Sequence, residues 1–391
     1  MERDGFRTGA LTPGDASVRI ETVEVFGVAV PLIGAFSTSY QATSLQRSAV
    51  VRLTASDGTI GLGNVDPVPG YSEESTDETL SALAERFVPA VLGLDPRNLH
   101  RVLEAMAPIS PRHFDAKAAI EMACCDASAR AQGVSVATLL GGAVRDTLTF
   151  NAWIGILPPA QAAAEALAWQ ARGFASAKVK VGHDIDADVE RLSAIRAAVG
   201  PAFRLRIDAN AGYDADTSIA LARRVEALGL ELFEQPVPAG DIAGMARVRR
   251  ECPFLPIMAD ESVVDHASLI AVIRADAADL VKVKPMKQGG LLITRRMLAT
   301  AEAAGIRCVL GHGFGLGVNT LAEIMLGASA PNVIEGLECV GPLKTADDIV
   351  IAKLDLTKGT LPLPAGPGLG ATLDEDKLAR YGFFYHRGGK S

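Results

Sequence analysis

The amino-acid sequence predicts an α/β protein: a (β/α)8 barrel with an α+β capping domain built from the N-terminal part and the C-terminal tail. Asp208, Glu234 and Asp260 each end a short apolar run, and each lies 26 residues from the next. Lys180 lies 28 residues before the first of them and Lys284 lies 24 after the last. A steady period of about 25 residues that delivers a charged side chain at each strand end marks a barrel with its active site on the C-terminal face. Upstream of this region, runs of strands precede runs of helices, the order of an α+β unit. At 391 residues the chain is long for one core, so two domains are expected.

The first 17 residues are polar, lack the apolar run of a signal peptide, and are expected to form a loose tail. Residues 18–144 are assigned to the capping domain. Stretches 19–30 and 48–54 are rich in β-branched residues, Asp57-Gly58 is a hairpin turn, and 59–63 continues the second arm. From 77–92, 98–106 and 115–132 the apolar spacing becomes helical, and Leu139-Leu140-Gly141-Gly142 closes the unit.

The barrel is assigned to 145–345, with strands at 147–154, 177–181, 204–208, 231–234, 257–260, 280–284, 307–310 and 333–338. Helices at 187–199, 217–228 and 291–304 end in Gly200, Gly229 and Gly305, and Gly173 serves the same purpose before the second strand. Residues 346–391, turn-rich at 364–370, are expected to return to the capping domain.

Composition sets bounds on partners. Apolar residues make up 49% and charged residues 21%, an ordinary globular balance. A formal charge of −8 argues against nucleic acid or an anionic membrane as partner. Cys124, Cys125, Cys252, Cys308 and Cys339 show no CxxC spacing, so reduced buried thiols and a cytoplasmic setting are expected.

Carboxylates at the ends of three consecutive strands lie side by side around a barrel mouth. Asp208, Glu234 and Asp260 there suit an octahedral Mg²⁺ with open positions for water and substrate. Three independent helix caps are the competing reading. Lys178 and Lys180 are two apart on one strand and so share a face, and Lys282 and Lys284 repeat this on the sixth strand. A partly desolvated lysine beside a second ammonium is driven toward the range where it acts as a base. His312, in Gly311-His312-Gly313, reads as a substrate contact rather than a catalyst. Glu338, at the end of the eighth strand, either orients substrate or pairs with a barrel lysine.

With these residues the chain resembles the enolase superfamily, in the muconate lactonizing enzyme-like branch of the mandelate racemase/muconate lactonizing enzyme family. The resemblance is carried by Lys178-Val179-Lys180, Asp208-Ala209-Asn210, Glu234-Gln235-Pro236, Ala259-Asp260-Glu261-Ser262 and Lys284-Pro285-Met286-Lys287-Gln288-Gly289-Gly290. It implies Mg²⁺ (or Mn²⁺) on Asp208, Glu234 and Asp260. It also implies Lys180 and Lys284 as bases on opposite faces of a small-molecule carboxylate, tuned by Lys178, and a metal-stabilised enediolate.

Racemisation or epimerisation of an amino-acid derivative follows; dehydration and muconate-type cycloisomerisation are the alternatives. Asn210, His312, Glu338 and Tyr40 are the expected substrate contacts. Tyr40 lies in a loop expected over 32–43 that would close over the mouth, with 65–71 as a second wall. The mandelate racemase branch pairs a His on the seventh strand with an Asp on the sixth, where this chain has Lys284. A homo-oligomer is expected for a barrel of this type.

Overall fold

The computed structural model describes residues 18–37, 42–68 and 72–389. The expected tail and Tyr40 lie outside these residues. The capping sheet is built from β1 (Ile20–Ser37), β2 (Ala42–Ala55) and β3 (Ile60–Val65). The loop expected over 32–43 is largely strand, because β1 and β2 pair as far as Ser37 with Ala42.

Alternation along these strands serves two cores. Val23 and Val25 of β1, with Ala49, Val51 and Leu53 of β2, pack into the cap's own core. Val28, Val30 and Val50, of opposite parity, join the cluster that runs into the barrel. The helix Phe114–Ala131 lies between the same two cores, giving Ile120 and Cys124 to one and Met122 and Cys125 to the other. Gly61 and Gly63 allow β3 to lie against this helix. A Cβ at either would stand 2.0 Å from Ala123 O or 1.9 Å from Ala119 O.

The barrel follows. The expected first strand over 147–154 is two pieces, β4 (Thr147–Thr149) and β5 (Ala152–Ile154). The break comes at Phe150, whose N–H bonds Gly359 O at 2.8 Å, outside the barrel. β6 (Ser176–Lys180), β7 (Arg204–Asp208), β8 (Leu232–Glu234), β9 (Ile257–Ala259), β10 (Leu280–Val283) and β11 (Arg307–Leu310) continue a seven-stranded sheet in the order β5 to β11. β12 (Thr360–Pro362) pairs antiparallel with β4. β13 (Gly382–Gly389) pairs antiparallel with β1, so the last strand lies in the capping sheet.

The expected eighth strand, 333–338, forms isolated bridges rather than a ladder, yet it closes the ring. Ile334 and Glu338 N–H bond Cys308 O and Leu310 O, while Leu337 N–H bonds Thr149 O. Inside, Leu232, Met258, Leu280 and Val309 fill the floor. Gly173, Gly200, Gly229 and Gly305 all take positive φ, as the helix ends require. All five cysteines are buried and unbridged. No helix of the described residues is long and apolar enough to cross a membrane.

Candidate active site

The register of the barrel decides which side chains meet. Lys180 pairs with Asp208, Asp208 with Glu234, and Glu234 with Met258. Side chains alternate along a strand, so Lys178 and Lys180, Arg206 and Asp208, and Leu232 and Glu234 share one parity. Asp260, two beyond Met258, with Lys282 on β10 and Lys284 just past its end, continue it. Apolar members of this set form the floor and charged members form the mouth. The lysine pairs therefore face the lumen, not the outer helical layer.

Each carboxylate of the mouth is bound by lysine. Lys180 Nζ lies 2.7 Å from Asp208 Oδ2 and 2.5 Å from Asn210 Oδ1. Lys178 Nζ reaches Asp208 at 3.1 Å, Glu234 at 3.0 Å and Glu338 at 2.6 Å. Lys284 Nζ lies 2.5 Å from both Asp260 oxygens, and Lys287 adds a contact at 3.0 Å. Glu338 is also bound by Lys282 and, at 3.3 Å, by the fully buried Arg206. Of the two readings left open for Glu338, the structure shows the ion pair.

Burial raises a carboxyl pKa and a nearby ammonium lowers it. At Asp208, burial is outweighed by Lys180 and Lys178, which hold the carboxyl below its usual range. At Asp260, Lys284 and Lys287 overcome burial and hold it far below. At Glu234, burial and the Asp208 charge win and push it up to about 8. Its Oε1 is buried without a hydrogen-bond partner, with Lys282 Nζ 3.7 Å away.

The strand ends carry strain. Asn210 (φ 43°) and Gln235 (φ 36°) both sit in the left-handed region. Asn210 gains three bonds there: its N–H to Asp208, its Oδ1 from Lys180 and its Nδ2 to Glu261. Gln235 Oε1 accepts the N–H groups of Asp260 and Ser262, which ties the ends of β8 and β9 together. His312, after β11, is buried and donates Nε2–H to Asp66 O at 2.9 Å. Burial and the Lys284 charge depress its pKa to about 3, so the ring is neutral.

Sequence reasoning missed Lys287, Glu261, Arg206, Asp66 and Lys344. Lys287 and Glu261 had a signal, adjacency to Lys284 and Asp260. Asp66 is fully buried under the His312 loop and accepts from Ser48 and Asn319. Nothing local marks Lys344.

Among the described residues no three carboxylate, His or Cys side chains form a ready-made metal cage. The donor set nonetheless fits a hard divalent cation. Asp208, Glu234 and Asp260 offer oxygens from adjacent strands, and the orphaned Glu234 Oε1 is a buried acceptor that only a cation or a donor would satisfy.

Two family models match: the mandelate racemase/muconate lactonizing enzyme N-terminal domain over residues 20–141, and the enolase C-terminal domain-like model over 161–377. The chain is 33% identical over 356 residues to the L-Ala-D/L-Glu epimerase of Bacillus subtilis (strain 168), covering 90% of this chain and 96% of that one. It is 33% identical over 364 residues to muconate cycloisomerase 1 of Rhodococcus opacus, covering 92% and 97%. The crystal structure of N-succinyl Arg/Lys racemase from Bacillus cereus ATCC 14579 superposes with a TM-score of 0.90 at 30% identity, covering 94% and 99%. That of a dipeptide epimerase from Enterococcus faecalis V583, complexed with Mg and L-Leu-L-Tyr, gives 0.86 at 29%, covering 90% and 99%. Enzymes of this family use a divalent metal. The chain belongs to the enolase superfamily, in its muconate lactonizing enzyme-like branch, and is an enzyme of the isomerase class.

Proposed function

We propose that this enzyme moves the proton α to the carboxylate of an amino-acid derivative and so racemises or epimerises it. One observation carries the reading. In the sheet order β6-β7-β8-β9-β10, the three carboxylate-bearing strands lie between the two lysine-bearing strands, so Lys180 and Lys284 flank the carboxylates from opposite sides.

A divalent cation, Mg²⁺ or Mn²⁺, on Asp208, Glu234 and Asp260 would supply positive charge where negative charge develops on the substrate carboxylate. Lys180, as the neutral amine, takes the α-proton from one face: the C–H bond breaks and an N–H bond forms. Lys284, as the ammonium, returns a proton to the other face, and the centre inverts. Reversing the two roles serves the antipode. Lys178, shared by three carboxylates, holds the field on the Lys180 side. Asn210, on Lys180, and His312, beside Lys284, would contact substrate; Glu338 would fix Lys178 and Lys282.

The test is ¹H NMR in D₂O with Mg²⁺ and a pool of N-acyl amino acids, proline betaines and hydroxyprolines. Loss of an α-proton signal with no new vinyl or imine resonance is expected. A new unsaturated product would replace the reading with dehydration. Similarity to muconate cycloisomerase 1, equal in identity to that with the epimerase, favours lactone cycloisomerisation as the second reading. Turnover of muconate without α-exchange of any amino-acid derivative would establish it.

A further inference from the structure

The helix Ile185–Val199, which follows β6, carries two charged residues on its inner face. Asp188 is 1% exposed and Arg191 3%. They form an ion pair at 2.5 Å. Neither takes part in the chemistry above, and a buried pair is costly unless its donors and acceptors find partners. Here the partners are mostly backbone. Arg191 Nη1 donates to Lys180 O at 3.0 Å, and its Nε donates to Leu157 O at 2.8 Å. Asp188 Oδ2 accepts Gly182 N–H at 2.9 Å and the Tyr213 hydroxyl.

The pair thus holds the backbone on both sides of Val181, the residue next to Lys180. It reaches three strand ends at once: Leu157 beyond β5, Lys180 and Gly182 at the end of β6, and Tyr213 beyond β7. Tyr213 closes the loop that begins with Asn210, whose Oδ1 accepts from Lys180 Nζ. The loops after β6 and β7 meet backbone to backbone. A Cβ on Gly182 (φ 116°) would stand 2.6 Å from Ala209 O, and one on Gly212 would stand 2.5 Å from Gly182 O. Movement at the end of β6 is therefore passed to the Asn210 loop. The stem of Lys180 and a partner of its ammonium hang from one ion pair.

Lys284 has a separate support. Its N–H bonds Gln288 Oε1 at 2.7 Å, within its own segment, and Met286 of that segment packs into the core of the cap. The side-chain bonds of Asp188 and Arg191 all lie around β5, β6 and β7. Cutting them should disturb one side of the mouth and spare the other.

We propose that Arg191 and Asp188 are positioning residues for Lys180. They set the direction in which its side chain leaves β6, and with it proton transfer on one face of the substrate only. The proposal rests on the proton-transfer reading above.

The test compares R191M and Y213F with the wild type and K180A, all loaded with Mg²⁺. Exchange in D₂O is followed for each pure enantiomer of the amino-acid derivative that exchanges in the pooled ¹H NMR screen. R191M should slow the enantiomer that K180A slows by roughly 10–100-fold, in kcat rather than KM, and its antipode by no more than about threefold. Y213F removes one donor from Asp188 and keeps the ion pair. It should slow the same enantiomer by about three- to tenfold and leave the antipode unchanged. Far-UV spectra and thermal midpoints show which variants are folded; if R191M is not, Y213F decides. Equal loss for both enantiomers, or no loss in any folded variant, would overturn the proposal.

A second readout needs no turnover. Trace acetylation with acetic anhydride, read by peptide mass spectrometry, compares Lys180 with the exposed Lys358 in each enzyme. Lys180 should be labelled faster in each folded variant, by at least about threefold in R191M, with Lys284 unchanged. An unchanged Lys180 rate in every folded variant would also overturn the proposal. If Lys180 labelling rises but no derivative exchanges in the wild type, or K180A slows both enantiomers alike, the proton-transfer reading fails and the positioning of Lys180 stands.

Discussion

Replacing Lys180 with alanine separates the two proposed bases, and the structure says why it is the better of the two substitutions. The Lys180 side chain is 29% exposed, and its partner Asp208 keeps Lys178 at 3.1 Å once Lys180 is gone. The fold should lose little, on the order of 1 kcal/mol. Lys284 is different: its side chain is 2% exposed and engages both oxygens of a buried Asp260. Removing one partner of a buried pair costs about 3–5 kcal/mol, reduced here because Lys287 remains 3.0 Å from Asp260.

A positioned base contributes roughly 10²–10⁴-fold, or about 3–5 kcal/mol of barrier. In D₂O, K180A should lose exchange by that factor for the enantiomer whose α-proton faces Lys180. The antipode should still exchange through Lys284, without inverting. Initial exchange rates for each pure enantiomer, followed by ¹H NMR, measure this directly. Equal loss for both enantiomers, or inversion at the wild-type rate, would refute two opposed bases.

Other substitutions probe the supports of the site. Glu338 is held far below its usual range because Lys178, Lys282 and Arg206 outweigh its burial; E338Q removes the one carboxylate that all three share and should cost about 3–5 kcal/mol, read as a lowered thermal midpoint. Glu121 of the capping helix accepts the N–H groups of Leu291 and Leu292 at 2.7 and 2.8 Å, capping a barrel helix from the other domain; E121A should cost roughly 2–4 kcal/mol in urea denaturation, and an unchanged midpoint would show that the cap is idle. Burial, then the Asp66 charge, raises Glu323 to about 8. Between its ordinary pKa and about 8 the folded chain keeps a proton that the unfolded chain releases, so stability falls with rising pH by up to ~1.4 kcal/mol per unit. E323Q should therefore gain in thermal midpoint over the wild type from pH 6 to 8, and a constant difference would contradict the shift. Mg²⁺ at a hundred times its dissociation constant should stabilise the fold by about 2.7 kcal/mol, and EDTA should reverse it.

What was legible in the sequence is what recurs along one strand. Lys178 and Lys180, Asp208, Glu234, Asp260 and Lys284 each end a short apolar run, and period-two parity alone brings them to one lumen. What was not legible depends on residues far apart in the chain. Lys344 follows Gly341-Pro342-Leu343, with no local feature that marks it. Trp153, Phe314 and Ile33, from three other elements, help to bury and fix it. Asp66 has the same character, with Ser48, Asn319 and the His312 loop around it. The eighth strand was predicted as regular. Instead, 333–338 must reach Cys308 and Leu310 on one side and Thr149 on the other, and it makes bridges where a straight ladder would not fit.

These long-range contacts bear on the chemistry because the cap and the mouth are one electrostatic system. Lys344 hangs from the cap strand through Ile33, and His312 through Asp66, while their neighbours Lys180 and Lys284 belong to the barrel. A shift of the cap relative to the barrel would therefore change the field at both proposed bases without moving either lysine's backbone. Substitutions that loosen the cap, such as E121A, should accordingly lower exchange from both enantiomers together. K180A and K284A should each act on one. That difference in symmetry separates a shift of the cap from the loss of a base.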